Sequence, residues 1–323
     1  MNDDRRFETI RTETSEKVRS IWLARPESYN TITPTLRDEL ALAIDDANAD
    51  PAVHVILLRA EGKAFCAGYG LDWSTAAQAS ELEPNEDLVG KPPGLDGPAK
   101  SDVACAASDR DGFGGRRKVW DSVSDLRMIN TFVDTYLKLW YSAKPTVAAV
   151  NGWCIGGGTD MVLCADLIIA GDDAVFGYPP ARVWGTPTTA MWVYRMGLEK
   201  AKRYLLTGDE ISGEEAARIG LVLECVPAAE LQDRAFALAR RMAMLPTNQL
   251  VMLKLLCNQT VENMGFASSR LLGSLFDGIA RHTQEGLDFV RRAQEVGFRQ
   301  AVYERDDPFG DYGSGPRGSR ARS

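Results

Sequence analysis

VNGWCIGGGTDMVLCADLIIAG, running from Val150 to Gly171, is the stretch on which the fold turns. Three successive glycines, Gly156, Gly157 and Gly158, separate two apolar runs, and a carboxylate, Asp160, follows two residues later. Glycine held in regular structure costs backbone entropy and offers no side chain to a core, so the run needs a reason other than packing density. A strand, a glycine turn and a helix placed in that order leave backbone N–H groups at a helix start, where they and the dipole favour negative charge. A phosphate loop would need Gly-Lys-Ser or Gly-Lys-Thr, and GGGTD has no lysine. A dinucleotide fingerprint would need G-x-G-x-x-G, which is also absent. An oxyanion hole fits the remaining chemistry, and it calls for a second N–H donor, for which FCAGYG (65 to 70) is the candidate. Two tight turns that merely let elements pack closely would read the same way on spacing alone.

Working outward, RSIWLARP (19 to 26) and HVILLRAEG (54 to 62) read as short buried strands. Between them TPTLRDELALAIDDANAD has the spacing of an amphipathic helix, with Thr33 as its N-cap. A polar region rich in Pro, Gly, Asp and Ser, from about residue 76 to 117, reads as an excursion from the fold. Helical period returns over 119 to 145 and ends at Pro145, TVAAVNG and DLIIAG read as further strands, and the remainder from about Gly197 is mostly helical. The expected division is an N-terminal extension (1–14), an α/β core (15–225) carrying the insertion at 76–117, a C-terminal helical region (226–310) and a disordered basic tail (311–323).

Composition narrows the function. The chain has 323 residues, 45% of them hydrophobic, and a formal net charge of −8, which disfavours wholesale nucleic-acid binding. No apolar run approaches the roughly 20 residues that span a bilayer, and the first residues lack an apolar leader segment, so no membrane partner and a cytoplasmic location are expected. Six cysteines show no C-x-x-C pairing and read as buried reduced thiols, with no metal site. The two histidines, His54 and His282, sit in no recognisable nucleophile context, and His54 reads as structural.

Three segments, AFCAGYGLDW, KPTVAAVNGWCIGGGTDMVLCADLIIAGDDAVFGYPPARVWGTP and AKRYLLTGDEISGEEAARIGLVLECVPAAEL, in that order, resemble the crotonase (enoyl-CoA hydratase/isomerase) superfamily over roughly residues 15 to 310. The resemblance implies an α/β spiral of ββα units with a C-terminal helical trimerisation region, assembly as a homotrimer or hexamer, and an acyl-CoA thioester substrate. Coenzyme A would then be part of the substrate, with no separate cofactor. It places the two oxyanion donors on the backbone N–H groups of Tyr69 and Gly157, and coenzyme A contacts at Arg25, Ala67 and Arg305.

The family's first acid falls on Asp160, which the resemblance makes the principal acid/base; an acid in a first helical turn is also favourable through the dipole alone. The second, after FGxP, falls on Pro180, which cannot transfer a proton. Compensating candidates are Tyr178, Arg182, Asp72, Asp109, Asp111 and Asp121, each otherwise an ordinary surface residue, and Trp73, Trp153 and Trp184 cluster near the same motifs without an assigned role. Besides hydration or isomerisation, the missing acid leaves thioester hydrolysis, other enolate chemistry, or acyl-CoA binding without turnover open.

Overall fold

The strand β3 (Val55–Ala60) shows why the interior has two compartments: all six of its residues are buried. Ile56, Leu58 and Ala60 face one apolar cluster while Val55 and Leu57 face another, the period of two that a strand covered on both faces requires. A computed structural model describes residues 7–69 and 122–312. The excursion at 76–117, Asp72, Trp73, Asp109, Asp111, Asp121, Cys105 and the tail beyond Tyr312 lie outside the described residues.

Two sheets carry the fold. One has six strands in the order β1 (Ile10–Ser15), β2 (Val18–Leu23), β3, β5 (Thr146–Val150), β7 (Leu167–Gly171) and β10 (Glu224–Val226). All its neighbours are parallel except β1 against β2. The other has four, β4 (Ala64–Cys66), β6 (Trp153–Ile155), β8 (Val175–Gly177) and β9 (Ile211–Ser212), parallel but for the last pair. Each unit therefore sends its first strand to the large sheet and its second to the small one: β3 then β4, β5 then β6, β7 then β8. This is the spiral of ββα units that the family resemblance implies.

Helix α1 (Pro34–Ala49) starts where expected, with the Thr33 hydroxyl accepting from the Leu36 N–H, and buries Leu36, Leu40, Ala43, Ile44 and Ala47 on one stripe. Helix α2 (Ser122–Trp140) stops before Pro145 as read. Two boundaries differ from the sequence reading. The sheet begins at Ile10, inside the stretch taken as an extension, because IRTETS pairs residue for residue with VRSIWL. Asp311 and Tyr312, assigned to the tail, are held: both Asp311 oxygens accept from Arg182, and the Tyr312 hydroxyl donates to Gly208 O.

The short helices α3 (Gly157–Val162), α4 (Met191–Met196), α5 (Leu198–Leu205) and α6 (Gly213–Ile219) follow the strand pairs. In the C-terminal region, α7 (Leu231–Ala243) is not separate from the core: Leu231, Ala235, Ala239 and Ala243 cover the outer face of the six-stranded sheet. Beyond it come α8 (Thr247–Asn263), α9 (Phe266–Ala280), α10 (Gln284–Val296) and α11 (Phe298–Asp306). The buried Lys254 ammonium ties α8 inward by donating to Leu139 O at 2.8 Å and pairing with Asp166 at 2.9 Å. Cys66, Cys154 and Cys164 are buried free thiols, whereas Cys257 on α8 is exposed, contrary to the reading of all six as interior.

Candidate active site

The glycine run has a separate reason at each end. Gly156 is the N-cap of α3 at φ +54, ψ −117, a backbone that side-chain-bearing residues rarely adopt, and its N–H donates to Gly177 O at 3.0 Å. At Gly158 a Cβ would sit 2.4 Å from the Cys66 carbonyl oxygen, so α3 seats directly on β4 only because that position has no side chain. The oxyanion and close-packing readings are thus not exclusive, since the same run does the packing and opens a helix whose first N–H groups have no intrahelical acceptor.

The second turn faces the first. At Gly68 a Cβ would lie 3.1 Å from Ile155 O and 3.9 Å from Gly157 N. Gly68 O accepts from the Ile32 N–H at 2.8 Å, and Ile32 bridges to Tyr69, which locks this turn to the chain before α1. Tyr69 and Gly157 both line one cavity of about 550 Å³. The structure therefore brings the two expected donors to one space.

Eight aromatic side chains stand in the walls of that space. Tyr69 meets Phe132 edge-on with ring centres 5.4 Å apart, Trp153 lies 6.4 Å from Tyr312, and Trp184 lies 6.4 Å from Phe289. Trp153 and Trp184, left without a role by the sequence, are thus cavity walls. Neither Tyr178 nor Arg182 is an ordinary surface residue. Tyr178 is buried in the wall and its hydroxyl donates to Thr186 O at 2.7 Å. Arg182 has a side chain only 2% exposed, pairs with Asp306 at 3.0 Å and Asp311 at 2.7 Å, and so fastens the end of α11 and Tyr312 against the cavity.

The expected acid/base is placed differently from the sequence reading. Asp160 is 0% exposed and is not part of the cavity wall. Thr188 donates to its Oδ2 at 2.9 Å, and the Thr189 hydroxyl approaches Oδ1 at 3.4 Å, so the loop after β8 is sealed over it. Burial pushes its carboxyl up to about 7, against the lowering effect of the threonine hydrogen bonds. Asp160 holds that loop and does not line the cavity, because α3 turns its first-turn side chain inward, behind the glycine turn.

Another carboxylate does face the cavity. Asp277, on α9, is a wall residue 7% exposed. Its neighbour Arg281, one turn on, pairs with it at 3.2 Å, and the nearby Thr186 backbone N–H favours its ionised form. Burial, more than any other cause, raises its carboxyl above the ordinary range; Arg281 opposes the rise and Asp125 adds to it. Asp125, on α2, also lines the cavity and lies 2.6 Å from His282 Nε2. The sequence reading missed this group. Its only linear signal was a single acid within the apolar run LLGSLFDGIA, four residues before Arg281.

Of the expected coenzyme A contacts, two come together. Asn30 accepts from the Arg25 N–H at 2.8 Å and donates to Ala64 O at 2.8 Å, while the Ala67 N–H donates to Tyr29 O at 3.1 Å. The Arg-Pro segment is thereby stitched to β4 beside the first turn, with Ala67 in the cavity wall and Arg25 outside it. Arg305 is a wall residue whose guanidinium is committed to Asp306 at 2.6 Å and lies over Phe289, so it does not project as a cation toward solvent. Among the described residues no group of three or more metal-ligating side chains is present.

The profile of the Enoyl-CoA hydratase/isomerase family matches residues 13–89 and 115–296. A crystal structure of an enoyl-CoA hydratase from Mycobacterium smegmatis superposes with a TM-score of 0.81 at 40% identity, covering 95% of this chain and 96% of that one. EchA13 of Mycobacterium tuberculosis, named as an enoyl-CoA hydratase, is 34% identical over 275 residues, 82% of this chain and 78% of its own length. The hydroxycinnamoyl-CoA hydratase-lyase of Pseudomonas fluorescens is 28% identical over 241 residues, 73% of each chain.

Proposed function

Since the chain belongs to the enoyl-CoA hydratase/isomerase family, we propose that it adds water across the 2,3 double bond of an enoyl-CoA thioester whose acyl group is bulky or aromatic. The observation that carries this reading is the pair of glycine turns, 65–69 and 155–157, meeting at one aromatic-walled cavity. A thioester carbonyl placed between the Tyr69 and Gly157 N–H groups gains stabilisation as it becomes an enolate, which is where negative charge develops when a nucleophile adds at C3. Preorganised donors of this kind are worth on the order of 10²–10³-fold in rate each. The chemistry draws on protons and the thioester alone, so coenzyme A enters as part of the substrate and no further cofactor is called for. Arg25 and Ala67, at the turn beside the cavity, are the proposed contacts for the coenzyme A portion, and Arg305 serves the acyl side as a wall.

The aromatic lining favours a ring or branched acyl group over a simple linear chain, and a relative named for hydroxycinnamoyl-CoA agrees with that choice. Incubation of the purified chain with crotonyl-CoA, a long-chain 2-enoyl-CoA and cinnamoyl-CoA, followed by mass, tests the reading. The expected product is the substrate plus one water with coenzyme A attached, formed fastest from cinnamoyl-CoA. Release of free coenzyme A thiol would identify a hydrolase instead, and binding of all three without any product would identify a non-catalytic member.

Self-association is the remaining part of the proposal. Leu253 and Leu256 on α8, Met264 in the turn after it, and Leu272 and Phe276 on α9 are all at least 45% exposed, more apolar surface than a lone chain ordinarily presents on neighbouring helices. Other copies of this chain, as a homotrimer or a hexamer of two trimers, are the proposed cover. Sedimentation equilibrium is expected to give three or six times the chain mass, and a monomer at micromolar concentration would refute it.

No described helix is long and apolar enough to cross a membrane.

A further inference from the structure

Pro180 leaves the proposed site short of one proton-transfer group, and the space beside Pro180 is where the structure supplies a carboxylate from elsewhere in the chain. Three contacts trace the path. A Cβ at Gly156 would lie 3.7 Å from Pro180 Cγ, which puts Pro180 against the oxyanion turn. A Cβ at Gly185, where φ is +115, would lie 3.2 Å from Pro180 Cβ and 3.4 Å from Asp277 Oδ1, which puts the carboxylate close to the same proline. Gly156, Gly157, Pro180 and Asp277 all line the one cavity.

We propose that Asp277, reaching in from helix α9, is the catalytic residue that moves the proton in this enzyme, taking over the task for which Pro180 has no functional group. The inference rests on the hydration reading above. The carboxylate accepts a proton from water while the water oxygen bonds to C3. The C2–C3 π pair shifts toward the thioester carbonyl, whose oxygen is held as an enolate by the Tyr69 and Gly157 N–H groups. The carboxylic acid then returns the proton to C2, the enolate collapses to the thioester, and the balance is one water added with Asp277 ionised again.

The surroundings suit this task. Arg281, which caps the end of the same helix, holds the carboxylate by one ion pair at 3.2 Å, and the Thr186 backbone N–H in the loop between Pro180 and α4 favours its ionised form. Asp125 from α2, itself 2.6 Å from His282, and Asp160 from α3 add negative potential from the other sides. Burial and those carboxylates make the group more basic than an exposed aspartate, which favours proton abstraction from water. Asp160 has the raised proton affinity as well, but Thr188 and Thr189 close it off from the cavity.

Asp277 also ties α9 to the loop, so the test must separate proton transfer from support. Hydration of crotonyl-CoA and cinnamoyl-CoA is measured for the wild-type chain, Asp277→Asn and Arg281→Gln, with melting temperatures alongside. Asp277→Asn keeps an oxygen for the Thr186 N–H and is expected to lower kcat by about 10²- to 10⁴-fold while KM stays within about threefold. Arg281→Gln leaves the carboxyl in place and removes the cation that lowers its pKa, so the acid limb of the kcat–pH profile is expected to move to higher pH. A folded Asp277→Asn chain with kcat within about threefold of wild type overturns the assignment. Should that variant fail to fold, an unmoved acid limb in Arg281→Gln overturns it equally. A wild-type chain that hydrates neither probe, and exchanges no C2 hydrogen of butyryl-CoA with deuterated solvent, overturns the enolate reading and this inference together, a result distinct from an active wild type with an indifferent Asp277.

Discussion

Asp160 and Asp277 are both buried carboxylates whose proton affinity is raised by loss of water, yet they stand on opposite sides of the site's wall. Asp160 belongs to the glycine turn by sequence, two residues from the run, and sits behind it under two threonine hydroxyls. Asp277 is more than a hundred residues further along, on a helix outside the β-rich core, and lines the cavity beside Pro180. Closeness along the chain thus places a residue next to a glycine turn without deciding which side of the turn its side chain reaches.

The two carboxylates differ most in what their removal costs. If both acids served alike, Asp277→Asn and Asp160→Asn would cost similar amounts of activity; the expected outcome is a loss of about 10²- to 10⁴-fold for the first and less than about tenfold for the second, read as kcat on the same thioester. Next in size is the turn between them. Gly158→Ala forces a methyl group toward the Cys66 carbonyl, a backbone atom that cannot step aside, and is expected to destabilise the chain by about 2 to 3 kcal/mol in urea titration. The same variant should lower kcat about tenfold or more, because spreading α3 from β4 separates Gly157 from Tyr69.

The smallest effect on activity sharpens the contrast through pH. Asp160 binds its proton more tightly folded, at about 7, than unfolded, near the ordinary 3.8. The stability this confers is fully present below about pH 4 and is lost as pH rises through about 7, because the unfolded chain binds fewer protons over that window. Asp160→Asn removes the dependence. Its stability relative to wild type should therefore rise by about 2 to 3 kcal/mol between pH 5 and pH 8, measured from urea midpoints. A difference that stays flat across that range would mean Asp160 is ionised throughout and has access to water that the sealed loop denies it.

Much of the fold was legible from local pattern. VILLRA, TVAAV and LIIAG are largely apolar runs because each lies in a sheet covered on both faces, and Thr33 marked the start of α1 by its hydroxyl. The start of the sheet was not legible: IRTETS is mostly polar and exposed, an edge strand defined by its pairing with the next strand and not by its own burial. Arg182 was misread as surface for a related reason. An arginine shows no sign in sequence that Asp306 and Asp311 will come from the far end of the chain to neutralise it.

The amino-acid sequence by itself determined the first strand, helix and strand, the two glycine turns with Tyr69 and Gly157 in them, and the absence of an acid at Pro180, because these depend on residue type and short spacing, while the ββα succession came from the family resemblance those motifs carry. Only the tertiary structure decided that Asp160 is shut away by Thr188 and Thr189, that Trp153 and Trp184 are cavity walls, and that α9 brings Asp277 to the space beside Pro180. Those outcomes depend on which face of one helix meets which loop of another, and that is settled by long-range packing across intervals of chain that carry no local trace of it.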